Sequence, residues 1–525
     1  MTTPDTDLSF DPRDPYFPVR GSHVRWAVQV FTAVNGYGLD PASGQPRGGG
    51  VRARCAQLGQ QRSAPGEVDV SVDLDGGAVV WSVRVRHEEP VKAVKLLLAG
   101  LPADGWWAPN TGPAALGAPF RLDYPGPSWA TPWAAADGVC LSVRDRQVRR
   151  TTLRVGRPPR SDHPTVEVLH RPAAADRAAT CEVPPIRLRE TADPQPDLDE
   201  HLSFVERAHG LVPWERRTDV PGWLRETALV VTLHGQHWTG HVFNTFPRMA
   251  EALRFVSQHI EPRRVLAFLP GWEGRYYYDY PRYAPGADLG GPAGFDALVR
   301  QAHELGFRIM PMFGGSGANA AQYPRWREAA LRNDTGRYVE LINRPDWDGD
   351  RAPEGDQVFC SPGEPGFRAL LRESVSKVVR DHGVDAALLD TAGYWTDDPR
   401  HPVLDGYRRL AAELRERHPG LLLAAEGWWD ALSAVFPLSQ QWLGADREMR
   451  APRVLTRYAR TTGHLAEGTP GGSTGVHERG FLPPAPEVPL DGHLPVLGFV
   501  ADTLPRHAEE VAAVCRRAAT RSPEP

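Results

Sequence analysis

The sequence is almost without lysine: Lys92, Lys95 and Lys377 are the only lysines among its 60 basic residues, and the others are arginines. We attribute this to the coding bias of a GC-rich genome and not to a phosphate-binding device. An excess of positive charge is missing as well, because Asp and Glu number 65 and the formal net charge is −5. Without a basic surface a chain does not attract nucleic acid, so no nucleic-acid partner is expected.

Long apolar segments are also missing. No stretch approaches the roughly 18 apolar residues that indicate a membrane-spanning helix, so no membrane partner is expected. The opening MTTPDTDLSFDPRDPYF has neither a basic nor an apolar leader region, and we expect no secretory signal. The five cysteines are an odd number without a CxxC pair, which argues against a disulfide framework or a zinc site. Reduced thiols and the missing leader favour a cytoplasmic location.

The first third of the chain carries strand patterns. The segment EVDVSVDLDGGAVVWSVRVRH alternates apolar and polar residues on both sides of DGG, which predicts a β-hairpin. Further strand-like segments follow, and no helical period of useful length is present. The pattern predicts a tail over 1–20 and an all-β sandwich over 21–195, followed by a linker over 196–220.

From 221 to 525 the pattern changes to strands that alternate with amphipathic helices. Such repetition predicts a parallel sheet. Six strands are recognisable, and two more are expected between about 437 and 482, where the signal is weak. Eight βα units in some 300 residues predict a (β/α)₈ TIM barrel. A doubly wound open sheet is the alternative, but no GxGxxG motif follows the first strand.

Two carboxylates end neighbouring strands of this predicted barrel. Asp390 ends the apolar segment AALLD, and Glu426 ends LLLAAE, one βα unit later. Neighbouring strands lie about 4.8 Å apart, so the two carboxyls are expected about 5 Å apart, the spacing of a retaining glycosidase. One carboxylate would attack the anomeric carbon while the other protonates the leaving oxygen. The alternative is that one or both bind loop N–H groups at the barrel rim.

Aromatic and polar side chains follow the same strands, and sugars offer C–H faces for stacking and hydroxyls for hydrogen bonds. Packing of long loops is the alternative role, and we favour it for the tyrosines of GWEGRYYYDYPRY. Glu273 in this segment also follows a predicted strand. The residues predicted to bind substrate are Trp238, Trp272, Asn319, Tyr394, Trp395, Trp428, His464 and Asp502.

No metal or other cofactor is expected. The segment HGQHWTGH places His237 and His241 four residues apart, but glycines interrupt it and it follows a strand, so a helical metal site is disfavoured. A calcium-binding DxDxDG loop is missing, and GGSGAN lacks the Lys-Ser/Thr of a phosphate-binding loop. Hydrogen bonds to sugar hydroxyls or packing at the rim is the preferred role for these histidines.

Three groups of residues carry a resemblance to known glycosidases. They are LDYPGPSWATPWAAADGVCLSVRD at 122–145, GWEGRYYYDYPRYAPGADLGG at 271–291, and the pair LLDTAGYW and LAAEGWWD. From about 120 to 505 the chain resembles the endo-α-N-acetylgalactosaminidase family and related uncharacterised bacterial proteins, and more distantly the α-amylase clan.

The resemblance implies a galactose-mutarotase-like fold for the sandwich. It also implies a retaining α-glycosidase with Asp390 as nucleophile and Glu426 as acid/base. Leu388 stands where the amylases have arginine, and their third acid has three candidate positions here: Asp446, Glu467 and Asp502. The implied substrates are oligosaccharides or small glycosides. A transglycosidase, a sugar isomerase and a carbohydrate-binding protein on the same scaffold are the alternatives. The sequence leaves the oligomeric state open.

Overall fold

The computed structural model describes most of the chain, and its internal contacts form two compact units. Unit 1 contains the described residues up to Leu211 together with Trp429–Ala431, and unit 2 contains the others. Within the described part, every helix is too short or too polar to cross a lipid bilayer. The described residues are 16–19, 21–47, 49–109, 120–126, 129–156, 164–173, 177–238, 240–333, 336–339, 357–441, 454, 456–463, 492–500 and 503–521.

Unit 1 is one large antiparallel sheet of 14 strands. The strands are β1 Phe17–Pro18, β2 Arg25–Phe31, β3 Gly36–Leu39, β4 Gln45–Arg47, β5 Gly50–Gln57, β6 Gly66–Asp75, β7 Ala78–His87, β8 Ala93–Ala99, β9 Phe120–Tyr124, β10 Trp133–Ala136, β11 Val139–Val143, β12 Thr151–Gly156, β13 Thr165–His170 and β14 Thr180–Glu190. Their order in the sheet is β10-β11-β14-β7-β6-β5-β3-β2-β8-β13-β12-β9, with β1 beside β2 and β4 beside β5. The sheet is consistent with the predicted sandwich, whose galactose-mutarotase-like character stays a prediction.

The predicted hairpin is confirmed. Strands β6 and β7 pair antiparallel from Gly66 opposite His87 to Asp75 opposite Ala78. The two glycines of the turn have φ of 57° and 81°, the left-handed conformation that tight hairpin turns require. Trp81 on the inward face of β7 is fully buried.

The predicted linker over 196–220 contains a regular helix. Helix α1 spans Gln195–His209 and buries Leu198, Leu202 and Val205, which lie on one face at helical spacing. It ends at Gly210 in the left-handed conformation, a common helix terminator. The boundaries assigned to the two domains from sequence stay predictions.

Unit 2 is a parallel barrel with helices between its strands. Its helices are α2 Gly222–Glu226, α3 Phe246–Val256, α4 Gly291–Leu305, α5 Arg325–Ala329, α6 Pro365–His382, α7 Val403–Arg417 and α8 Thr503–Ala519. Its strands are β15 Leu229–Leu233, β16 Val265–Leu269, β17 Arg308–Gly314, β18 Gly317–Asn319, β19 Gln357–Phe359, β20 Ala386–Asp390, β21 Leu422–Glu426, β22 Leu438–Gln441, β23 Arg460–Gly463, β24 His493–Leu494 and β25 Val496–Phe499.

The sheet closes on itself through its last segment. The order is β24-β23-β22-β21-β20-β17-β16-β15-β25, and every pair is parallel. Only Pro495 separates β24 from β25, and its carbonyl oxygen accepts a hydrogen bond from Val230 in β15. The segment therefore acts as the eighth strand. Strands β22 and β23 lie in the region where two further strands were predicted.

Strands β15, β16, β20 and β21 are buried at every position. A barrel strand is covered by side chains inside and by helices outside, so it needs a continuous apolar run. A polar residue at the last position of such a strand lies at the end of the barrel, where its side chain is no longer surrounded by apolar groups. Polar side chains of the barrel strands are therefore expected at that edge of unit 2.

Candidate active site

The carboxyl-terminal edge of the barrel brings together the two acids that the sequence paired. Asp390 is the last residue of β20 and Glu426 the last of β21. The parallel register aligns Leu389 with Ala425, so the following residues lie side by side. Asp390 is 5% exposed and Glu426 is 6% exposed. The two carboxyls lie close enough that Glu426 affects the ionisation of Asp390.

Burial keeps a proton on this pair. The pKa of Asp390 lies well above its usual value, first because burial removes water from the charged form, and then because of the charge and hydrogen bond of Glu426. A hydrogen bond from Tyr277 opposes this rise by favouring the carboxylate. Two carboxyls in contact do not both ionise at neutral pH, so one proton is shared between them. The pair thus offers one carboxylate and one carboxylic acid.

The turn after β20 fixes Glu426 through the backbone. Thr391 has φ of 61°, which a β-branched residue rarely adopts. Its N–H donates to Oε2 of Glu426 at 2.9 Å, and its hydroxyl shares a hydrogen bond with Ser316. The N–H of Gly393 donates to the carbonyl oxygen of Glu426. Strain of this kind persists where the surrounding structure holds a functional geometry.

The loop after β16 forms an aromatic wall beside the acids. The Tyr277 hydroxyl is within reach of the Asp390 carboxyl, whereas the sequence favoured packing for this cluster. Tyr280 lies against Gly314, where an added Cβ would stand 2.3 Å from its ring, so this position requires glycine. Tyr283 donates to the carbonyl oxygen of Gly314 at 3.0 Å. The members of the wall are Tyr276, Tyr277, Tyr280 and Tyr283.

Burial raises the pKa of Tyr276 well above its usual value, and the negative charge of Asp390 adds to the rise. The same two causes act on Tyr277. Both phenols therefore stay protonated across the physiological pH range and act as hydrogen-bond donors. Donors placed beside a carboxylate favour its charged form.

The histidines after β15 pack against this wall. His234 and His237 are buried, and their rings lie 5.8 Å and 5.7 Å from the ring of Tyr276. Phe243 covers His234 at 4.8 Å. Among the described residues, no three His, Cys, Asp or Glu side chains converge as a metal site would require. The observed arrangement is one of ring packing.

Two of the predicted substrate-binding aromatics follow the acid of β20. Tyr394 is 53% exposed, and its ring lies 5.6 Å from that of Phe359. The pKa of Tyr394 is raised, mainly by partial burial and then by the charges of Glu426 and Asp390. Trp395 is half-buried beside it. An exposed ring near two buried carboxyls is suited to contact a ligand.

Other predicted binding residues occupy packed positions. Trp272 is fully buried, stacks on Phe295 at 5.0 Å and donates to the Met312 carbonyl oxygen at 2.7 Å, so its ring has the surroundings of a core residue. Trp428 is also fully buried.

Asn319 is held by the backbone. Its side-chain amide donates to the Tyr278 carbonyl oxygen at 2.8 Å, and its side-chain oxygen accepts from the Ala321 N–H at 3.0 Å. These bonds give it a role in shaping the loop after β17. Trp238 is half-buried, with its ring 5.3 Å from that of His237.

The predicted binding residues His464 and Asp502 lie outside the described residues. Two of the candidate positions for a third acid, Asp446 and Glu467, also lie outside them. Their assignments stay predictions.

Sequence reasoning did not select Glu273 or Tyr277 as site residues. Both follow β16, as Asp390 follows β20, and a carboxylate directly after a buried strand is a usable signal. The adjacent tyrosines made this signal hard to interpret, because sequence spacing does not show which of them faces the acids.

No protein-family model and no curated protein sequence matches the chain. Among solved structures, it is similar to the α-N-acetylgalactosaminidase NagBb from Bifidobacterium bifidum in complex with GalNAc. That match has a TM-score of 0.65 and 14% identity, and covers 99% of this chain and 93% of the other. The Gal-NHAc-DNJ complex of the same protein matches with a TM-score of 0.64 and 16% identity, over 96% and 90% of the two chains. At this identity, the likeness establishes a shared fold.

Proposed function

We propose that this protein is a glycoside hydrolase that cleaves α-linked glycosides with retention of the anomeric configuration. The observation that carries the proposal is the placement of two buried carboxyls at the ends of adjacent barrel strands. Active sites of (β/α)₈ enzymes form at this edge. Carboxyls of retaining enzymes lie about 5 Å apart, whereas inverting enzymes need about 6.5–9.5 Å to seat a water.

The reaction follows from the one proton that the pair holds. The Asp390 carboxylate attacks the anomeric carbon as the glycosidic bond breaks, and Glu426 gives its proton to the leaving oxygen. Water then attacks the same carbon, Glu426 takes the proton of that water, and the ester to Asp390 is cleaved. Tyr277 stabilises the Asp390 carboxylate by hydrogen bonding before the attack and after its release.

The choice of an α-linked substrate rests on the similar structure. That protein is described as an α-N-acetylgalactosaminidase bound to GalNAc. An aryl α-N-acetylgalactosaminide is therefore the first substrate to test, with the α-galactoside as its closest analogue. Exposed aromatic rings such as Tyr394 provide a surface for the C–H face of a sugar.

The test is hydrolysis of a panel of aryl α- and β-glycosides, with the configuration of the first-formed product determined by NMR. We expect cleavage of an α-glycoside and an α-configured initial product. A β-configured initial product would contradict the retaining mechanism. Absence of hydrolysis across the whole panel would contradict the proposed function.

A further inference from the structure

A third carboxyl lies beside the two acids without a regular hydrogen bond. Glu273 follows β16 in the tyrosine-rich loop and is 1% exposed. Among the described residues, neither of its carboxyl oxygens has a hydrogen-bond partner of regular geometry. The Tyr280 hydroxyl is within reach of this carboxyl, but it also forms no regular hydrogen bond within that part of the chain.

Within the part of the chain that the structure describes, the groups that act on the pKa of Glu273 include no positively charged side chain. Burial is the main cause that raises its pKa well above the usual value, and the negative charge of Asp279 raises it further. Its own backbone N–H and Tyr280 oppose the rise only in part. The arginines of this loop, Arg275 and Arg282, act on Asp279.

Glu273 is connected to the proposed nucleophile by charge and by packing. A negative charge on Glu273 would raise the pKa of Asp390 and so oppose its ionisation. The ring of Tyr280 lies 5.7 Å from that of Tyr277, whose hydroxyl is within reach of Asp390. The groups that face Glu273 are Asp279, Tyr276, Tyr280, Tyr283 and Asp390.

We infer that Glu273 is a positioning residue that works as an uncharged acid. It supports Tyr280, and through that ring Tyr277, and by staying neutral it restricts negative charge in the site to Asp390 and Glu426. The inference rests on the proposed function, because it gives Asp390 the role of nucleophile. A protonated carboxyl is both donor and acceptor, so it can bind the Tyr280 hydroxyl without adding charge.

The first test measures whether Glu273 is uncharged, and it does not depend on activity. A carboxyl whose pKa is raised in the folded state contributes stability at low pH and loses it as pH rises above the value in the unfolded chain. The melting temperature of Glu273→Gln, relative to wild type, should therefore increase by about 2 °C or more between pH 5 and pH 8. Glu304→Gln, at an exposed carboxyl on α4, controls for the loss of one negative charge. A difference that does not change with pH would overturn the inference.

The second test measures the positioning role. Glu273→Ala removes the support of Tyr280 and should lower kcat by about 10²-fold, whereas Glu273→Gln keeps shape and donor and should restore most of that loss. If Glu273 acts through Tyr280, then the effects of Glu273→Ala and Tyr280→Phe will be less than additive. A Gln variant as slow as the Ala variant, in a correctly folded protein, would show that a charged carboxylate is needed and would overturn the inference.

The outcomes separate the two proposals. If wild-type protein cleaves no glycoside, then the proposed function fails and the positioning role fails with it. If wild-type protein is an active glycosidase and the stability difference is independent of pH, then only the inference about Glu273 fails.

Discussion

Asp385 and Asp390 stand at opposite ends of β20, and their surroundings give them opposite properties. Asp385 accepts hydrogen bonds from the Arg308 guanidinium and the Ile309 N–H, each at 2.9 Å, so its charge is balanced. Asp390 is surrounded by carboxyls and phenols, and the neighbouring carboxyls raise its pKa and so disfavour its ionised form. In barrels of this class, acids at the strand start stabilise the fold, and acids at the strand end serve chemistry.

We expect Asp390→Asn to lower kcat by about 10⁴-fold, because it removes the proposed nucleophile. The same change should raise the free energy of unfolding by about 1 kcal/mol at pH 7, because the folded-state pKa of Asp390 is raised and its stability contribution is lost as pH rises. Asp385→Asn is the matched control, with a loss of about 1–3 kcal/mol of stability and unchanged kcat. Kinetics and chemical denaturation measure both. Full activity in Asp390→Asn would refute the nucleophile assignment.

Tyr277 sets the pH at which Asp390 ionises. Its hydrogen bond lowers the pKa of that carboxyl against the effect of burial. Tyr277→Phe should therefore move the acidic limb of the kcat/KM profile to higher pH by about one unit. Tyr283→Phe is the control, because the Tyr283 hydroxyl donates to the carbonyl oxygen of Gly314. It should lower the free energy of unfolding and leave the acidic limb of the kcat/KM profile unchanged. An unchanged limb in Tyr277→Phe would count against Asp390 as the group that must ionise.

At the scale of elements, the loops after β20 and β21 touch backbone to backbone. A Cβ added to Gly393 would lie 2.5 Å from the Cα of Gly427. A side chain at this position would therefore push the two loops apart. The same contact holds the Gly393 N–H on the Glu426 carbonyl oxygen. The spacing of the two acids thus depends on two small residues outside the strands.

Gly393→Ala should separate these loops, with a loss of about 1–3 kcal/mol of stability and about 10²-fold of kcat. The control is Gly383→Ala, at the end of α6. It has φ of 73° and open space around it, so its cost is the backbone strain of about 1–2 kcal/mol alone. Thermal unfolding and steady-state kinetics distinguish the two variants. If both glycine variants lose the same activity, then the loop contact does not position Glu426.

At the scale of the whole molecule, unit 2 depends on closing its barrel. Arg217 precedes the first strand and is buried, and it donates to the carbonyl oxygens of Ser433 and Tyr458, which precede β22 and β23. Arg217 also forms a bidentate ion pair with Asp219. One side chain therefore joins the beginning of the barrel to the two strands with the weakest sequence signal.

Arg217→Leu should lower the free energy of unfolding by about 3 kcal/mol, because it leaves two carbonyl oxygens and part of an ion pair without their donor. Arg263→Leu removes an exposed arginine that pairs with Glu261 and should cost less than about 0.5 kcal/mol. Chemical denaturation followed by circular dichroism measures the difference. Equal losses in the two variants would contradict a role in closure.

Much of the barrel was predictable from local pattern, because buried parallel strands require continuous apolar runs. The acids were predictable for the same reason: a carboxylate that ends such a run, as Asp390 and Glu426 do, can only lie at the open edge. Strands β22 and β23 were expected only as a region, since four-residue strands carry too few positions for a periodic signal. The location in the cytoplasm stays a prediction.

The sequence by itself determined the order of the two units, the hairpin at 66–87 and the pairing of Asp390 with Glu426, since all three depend on neighbours along the chain or on a regular repeat. Only the tertiary structure decided that Trp272 packs into the core, that the Tyr277 hydroxyl comes within reach of Asp390, and that Glu273 is buried. The direction of a loop side chain depends on contacts from distant segments. Gly314, for example, leaves the space in which the ring of Tyr280 lies, and no local pattern contains that information.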